Sequence, residues 1–231
     1  MIEVNLMMGN IGSGKSLLTN KFMQDGFIPI SRDSIIEMLF CGQYEFYDKH
    51  QPTLISSIEN NIIHDCILFN RNIVIDETLI TKHIRKDRIS FIQDKCSYYN
   101  KEYYITLYNF GKGTEKFNLK NRRIHHKNIP INTWESVFNM MNENYQEPEL
   151  NEGFNKIITI DSSKFNYYDK YIENKEFIYS EFEYLKKLWN ESIYNIITIY
   201  INSKLYSIDE INILKNNLIM NNIKYDFFKI I

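Results

Sequence analysis

The run Gly9-Asn10-Ile11-Gly12-Ser13-Gly14-Lys15-Ser16 constrains this chain more than any other stretch of it. It satisfies the pattern G-x-x-x-x-G-K-[ST], and the residues around it supply the context that the pattern needs. Ile2 to Met8 alternates apolar and polar before turning wholly apolar, as a strand entering a buried sheet does. From Lys15 onward, Leu17, Leu18, Lys21 and Phe22 recur at helical spacing. Strand, glycine loop and helix therefore follow in order. Glycines there let successive N–H groups converge on phosphate oxygens, and the helix adds its positive N-terminal end. Gly9, Gly12, Ser13 and Gly14 are the expected phosphate cradle, Lys15 the cation for the transferring phosphate, and Ser16 a Mg²⁺ ligand.

The rest of the chain alternates strand and helix patterns up to Asp161. Short apolar strands are expected at Phe27–Ile30, Asn72–Ile75, Tyr103–Tyr108 and Ile157–Ile160. Helices are expected at Asp33–Phe40, from Leu54 to Leu68, and at Thr81–Tyr98, Lys116–His126 and Thr133–Asn144. This order predicts a P-loop NTPase-type α/β fold, a parallel sheet with helices on both faces, over residues 1–161. Residues 162–231 read as a small C-terminal α/β appendage of unknown role. It contains a helical stretch near Glu181–Trp189, a strand at Ile196–Ile201, a capping box Ser207-Ile208-Asp209-Glu210, and a strand at Tyr225–Ile230. With only 8 glycines and 4 prolines in 231 residues, long regular elements joined by short loops are expected.

Charge and cysteine usage narrow the function class. The formal net charge of -2 gives no global case for a nucleic-acid coat or a membrane-surface protein, so any such binding must be local. No apolar run reaches the ~20 residues that span a bilayer, and the N-terminus lacks a signal-peptide pattern, so a cytoplasmic protein is expected. Cys41, Cys66 and Cys96 are scattered and read as reduced thiols, with neither a disulfide framework nor a zinc site. His64, on an apolar helix, reads as a packing residue.

Three further sites can do chemistry. Arg32-Asp33 closes the second strand at the carboxyl edge of the sheet, where a carboxylate can take the proton of an acceptor hydroxyl, although Asp33 can also serve as a helix cap. The strand Ile73-Val74-Ile75 ends in Asp76-Glu77-Thr78, which places a carboxylate beside Mg²⁺ or the acceptor. Residues Lys112, Lys116, Lys120, Arg122, Arg123 and Lys127 form a basic segment that either closes over a phosphate donor or stays a solvated face.

In this order the motifs resemble the kinase domain of the polynucleotide 5'-kinase family over Ile2–Asp161. The resemblance rests on Gly9–Ser16, on Ser31-Arg32-Asp33, and on Val74-Ile75-Asp76-Glu77-Thr78. It continues in Lys120-Asn121-Arg122-Arg123 followed by Ile129-Pro130, and in Tyr145-Gln146-Glu147-Pro148 with Glu152-Gly153-Phe154. It implies transfer of the γ-phosphate of ATP, with Mg²⁺, to a hydroxyl, most readily the 5'-OH end of RNA or DNA. It further implies Asp33 as general base, Arg32, Asp76 and Thr78 on the acceptor, and a lid arginine for which Arg122 and Arg123 compete, with Arg123 favoured. Two departures stand out: the lid spacing is shortened, and Ile36 occupies the position where nucleic-acid kinases of the family often carry an arginine for an acceptor phosphate. A small-molecule acceptor and a non-catalytic nucleotide switch therefore stay open. No Asp-x-Asp-Gly-Thr phosphatase motif is present, and nothing in the sequence speaks to the oligomeric state.

Overall fold

A computed structural model describes residues 1–40, 52–113, 131–172, 179–201, 206–220, 223–225 and 227–230. The chain divides into two units, Met1–Ser162 and Ser163–Ile231.

The first unit is built on five parallel strands: β1 (Ile2–Met8), β2 (Ile28–Ser31), β3 (Ile73–Asp76), β4 (Tyr103–Asn109) and β5 (Lys156–Thr159). Their order across the sheet is β2-β3-β1-β4-β5. The central strands turn one apolar face into a single core, where Val4, Leu6, Ile73, Ile75, Ile105 and Leu107 are fully buried, and the opposite face is covered as well, with Asn5, Met7, Val74 and Thr106 buried. Helices α1 (Lys15–Gln24), α2 (Arg32–Phe40), α3 (Pro52–Leu68), α4 (Lys82–Tyr98) and α5 (Ile131–Glu143) occupy the stretches between strands. Thr81, which the sequence suggests as the first helical residue, is instead the N-cap of α4, its hydroxyl accepting from Ile84 N at 3.4 Å. Asn70 and Asn100 adopt positive φ just beyond the ends of α3 and α4, a conformation asparagine tolerates better than most.

A buried ion pair closes this unit. Arg85 on α4 donates from Nε to Glu152 Oε2 at 2.7 Å and from Nη2 to Oε1 at 2.8 Å, both side chains being 0% exposed. Its Nη1 donates to the carbonyls of Leu79 at 3.1 Å and Gln146 at 2.9 Å. One arginine thereby ties α4 to the segment after α5 and to the loop after β3.

The second unit is a three-stranded parallel sheet of β6 (Asn166–Ile172), β7 (Asn195–Ile201) and β8 (Phe227–Ile230), with α6 (Tyr179–Glu191) and α7 (Ile208–Met220) as connections. Leu185, Leu188, Trp189, Ile197, Ile199, Ile201, Ile211, Leu214 and Leu218 form its core. The expected capping box opens α7: Ser207 N donates to Glu210 Oε2 at 2.8 Å, and Glu210 N to Ser207 Oγ at 3.3 Å. Strand β6 was not expected from sequence. It lies at the sheet edge, where an exposed polar residue such as Asn166 is tolerated and no apolar alternation is required.

Candidate active site

The carboxyl ends of four adjacent strands gather the site. Parallel register sets Met7 beside Asp76, Asp76 beside Ser31, and Met8 beside Asn109. The glycine loop leaves β1 at Gly9, whose φ of 152° and close surroundings exclude a side chain: a Cβ there would lie 2.7 Å from Phe110 Cβ. Gly9 N donates to the carbonyl of Thr78 at 2.9 Å, so the loop is pinned at its start to the end of β3. Gly14 adopts a left-handed conformation, φ 97°, at the N-terminus of α1.

Lys15 is buried, its Nζ donating to the carbonyls of Gly9 at 3.0 Å and Asn10 at 2.8 Å. Ser16 Oγ donates to Asp76 Oδ2 at 2.7 Å, which joins the loop motif to the carboxylate that closes β3. Burial pushes the Asp76 carboxyl up. Lys15 and the Ser16 bond oppose that rise, and the charge of Asp33 adds to it. Asp33 therefore lies within electrostatic reach of Asp76. It sits exposed in the first turn of α2, where the helix favours an acidic residue. Ser31 takes the capping role there: its Oγ accepts from Ser34 N at 3.4 Å.

Other residues named from sequence fall as follows. Arg32 turns to α3, donating from Nη1 to Glu59 Oε2 at 3.2 Å and Ser56 Oγ at 3.3 Å. Thr78 contributes its carbonyl to Gly9. Ile36 is buried with Ile35 and Ile55, and Phe40, Ile58 and Ile62 pack against them. Arg122 and Arg123, with Lys116, Lys120 and Lys127, the helix expected at Lys116–His126, and Cys41 lie outside the described residues. Cys66 and Cys96 are free and buried. His64 Nε2 pairs with Tyr99 OH at 2.6 Å. Among the described residues no group of three or more His, Cys, Asp or Glu side chains is arranged to hold a metal, and no helix is long and apolar enough to cross a membrane.

Several supporting contacts escape sequence reading. Asn10 is buried, donating from Nδ2 to Phe138 O at 3.0 Å and Asn142 Oδ1 at 2.8 Å while its Oδ1 accepts from Ile11 N at 2.7 Å. Together with the packing of Ile11 on Trp134 and Phe138, this seats the loop on α5. Ser162 Oγ donates to Ser13 O at 2.7 Å from the segment after β5. At the end of β4, Asn109, Tyr145 and Glu147 bond to one another, and burial pushes the Tyr145 hydroxyl up to about 12. An asparagine one residue past the first motif glycine carries no pattern that would have disclosed these bonds.

The residues present fit a nucleotide with Mg²⁺. Ser13 Oγ is buried without a hydrogen-bond partner among the described residues, and Ser16 and Asp76 converge as hard oxygen donors.

No family model and no curated protein matches the sequence. Solved structures do resemble it. A structure of the PezAT chromosomal toxin–antitoxin system of Streptococcus pneumoniae aligns with a TM-score of 0.53 and 16% identity, covering 71% of this chain and 68% of that one. A protein assigned as a kinase from Chloroflexus aurantiacus aligns with a TM-score of 0.50 and 10% identity, over 70% of this chain and 86% of that one. The fold is that of the P-loop NTPases. A fungal RNA kinase also aligns, at a TM-score of 0.47 and 16% identity over 69% of this chain and 38% of that one, a likeness too low to carry weight.

Proposed function

We propose that this protein is a kinase that transfers the γ-phosphate of ATP to a hydroxyl, and that the acceptor is the 5'-OH end of RNA or DNA. The observation that carries the reading is the meeting of Lys15, Ser16 and Asp76 where the glycine loop passes the end of β3, with Asp33 just past the end of the neighbouring strand β2. Lys15 needs only to release two backbone carbonyls to reach a phosphate oxygen, because its Nζ already lies within the loop. Ser16 and Asp76 would hold Mg²⁺, which supplies charge neutralisation at the phosphates when bound. Asp33 is exposed, so an acceptor hydroxyl can approach it and give up its proton to the carboxylate as the bond to phosphorus forms. In this reading Arg123, or its neighbour Arg122, serves as the lid arginine that stabilises charge on the transferred group.

The site also favours a second acceptor class. Ile36 is committed to an apolar cluster, so the position that resembles an acceptor-phosphate arginine offers no charge. A small hydroxyl compound without that phosphate needs none. Incubation with γ-labelled ATP and Mg²⁺, against 5'-OH oligonucleotides and a panel of nucleosides and sugars, separates the cases. Label on the oligonucleotide is the expected result, label on a small acceptor selects the second reading, and label on neither leaves a nucleotide-binding switch.

A further inference from the structure

The proposed chemistry leaves unused the charges that flank its two carboxylates. Arg32 precedes Asp33 and Glu77 follows Asp76, and both are linked to one buried side chain on α3. Glu59 is 1% exposed; its Oε2 lies 3.2 Å from Arg32 Nη1 on the α2 side and 3.5 Å from Arg88 Nη2 on the α4 side. Arg88 in turn pairs with Glu77 and donates from Nη1 to Asn60 Oδ1 at 2.8 Å. The second oxygen of Glu59, Oε1, has no hydrogen-bond partner among the described residues.

Burying a carboxylate in this way is a poor route to stability, since well-packed apolar side chains in place of a buried ion pair are often neutral or better. Burial indeed pushes the Glu59 carboxyl up, with Glu77 adding to the rise and Arg88 and Arg32 opposing it. What the arrangement does supply is geometry. Helix α3 packs on β2, α2 and α4, so Glu59 is held by a rigid element while its pairs reach the ends of two adjacent strands.

We infer that Glu59 is a positioning residue: through Arg32 it fixes the first turn of α2 and with it Asp33, and through Arg88 and Glu77 it fixes the end of β3 and with it Asp76. The charged groups facing Glu59 are Arg32 from α2, Arg88 from α4, and Glu77 after β3. Without the Glu59 charge, Arg32 loses its one ionic contact on α3 and keeps only the longer, neutral ones to Ser56 Oγ at 3.3 Å and the Pro52 carbonyl at 3.5 Å. This deepens the kinase reading and rests on it for the roles of Asp33 and Asp76; the placement of α2 does not depend on it.

The test uses the full chain with Glu59→Gln, which keeps the shape and removes the charge, and Glu59→Asp as the conservative variant. Amide hydrogen exchange is read in the first turns of α2, at Ile35 and Ile36, against α1, at Leu18 and Thr19. Exchange in α2 is expected to rise about tenfold in Glu59→Gln with α1 unchanged, and Glu59→Asp to recover part of the protection. Phosphoryl transfer should lose about tenfold in kcat or more, while KM for ATP stays within about twofold. Arg32→Gln should reproduce both effects, and combining it with Glu59→Gln should add little, as for two residues acting through one contact. Equal exchange in α2 and α1, or wild-type exchange and kcat in Glu59→Gln, overturns the inference. Should Glu59→Gln fail to fold, the partly exposed Arg32 carries the same comparison through Arg32→Gln. A wild-type chain that phosphorylates no hydroxyl removes the kinase reading, and the α2-to-α1 exchange ratio still decides the positioning.

Discussion

The two units are both parallel sheets with helical connections, and they differ in what they bury. In Met1–Ser162 the covered polar residues include Lys15, Glu59, Arg85 and Glu152, whereas in Ser163–Ile231 the described buried polar residues are Asn195 and Thr198. Burying charge costs free energy unless each group is paired and hydrogen-bonded, so a unit that carries several such groups has been shaped by something besides stability. The second unit shows the same architecture closing a core whose described buried members are Ile, Leu and Trp, with Tyr168, Tyr206, Tyr225 and Phe228 packed against them. A parallel sheet supplies strand ends; the residues set there decide whether those ends form a site.

The largest expected effect tests the loop at the centre of that contrast. Lys15→Ala should reduce phosphoryl transfer by about 10⁴-fold or more, roughly 5 kcal/mol of transition-state stabilisation, because no other loop side chain brings positive charge to the transferring phosphate. Steady-state transfer from labelled ATP measures it. Activity within about threefold of wild type would remove Lys15 from the chemistry and with it the proposed mechanism.

The buried pair comes next. Arg85→Leu leaves Glu152 without its partner in a dry interior and should destabilise the first unit by about 3–5 kcal/mol. The pH dependence has a definite sign. Burial alone would raise the Glu152 carboxyl, but the Arg85 bonds and the Glu149 N–H hold it below its ordinary value of 4.5. A depressed folded pKa means that the contribution is whole above the ordinary value and is lost as pH falls through the folded one. Acid should therefore weaken the first unit through a group that has no described counterpart in the second. Urea melts at neutral and acid pH measure this, and an Arg85→Leu chain should lose that part of the acid sensitivity.

How much of this was legible in the sequence follows the range of the interactions. The glycine loop and the strands ending near Asp33 and Asp76 are local patterns, and each is readable because backbone geometry dictates residue type within a few positions. Arg85 and Arg88 lie in a helix that also holds Lys82, Lys86 and Asp87, so by composition they read as a solvated face. Their partners, Glu152 and Glu59, are 67 and 29 residues away in sequence. Only the topology brings them together. The same holds for Asn10 and Asn142, and for β6, a strand at the edge of its sheet.

Asp33→Asn sharpens the contrast within the first unit. It keeps the side-chain shape and removes the base, so kcat should fall by about 10²-fold or more, near 3 kcal/mol, while nucleotide affinity stays within about twofold. Transfer kinetics combined with nucleotide titration separate the two quantities. If affinity falls and turnover survives, Asp33 supports the fold instead of the reaction.

The smallest effect belongs to the second unit and asks whether its core stands by itself. Asn195 is buried, its Nδ2 donating to Leu188 O at 2.7 Å while its backbone N–H donates to Ser192 O at 3.1 Å, so one residue joins the end of α6 to the start of β7. Asn195→Ala leaves the Leu188 carbonyl without that donor and should cost about 1–3 kcal/mol. The chain has two tryptophans, one in each unit, Trp134 against Ile11 of the glycine loop and Trp189 in the second core. Trp134→Phe therefore leaves Trp189 as the reporter of the second unit, and Trp189→Phe leaves Trp134 as the reporter of the first. Urea unfolding followed by fluorescence should show Asn195→Ala lowering the Trp189 midpoint with the Trp134 midpoint unchanged. Midpoints that move together would mean that the two cores unfold as one.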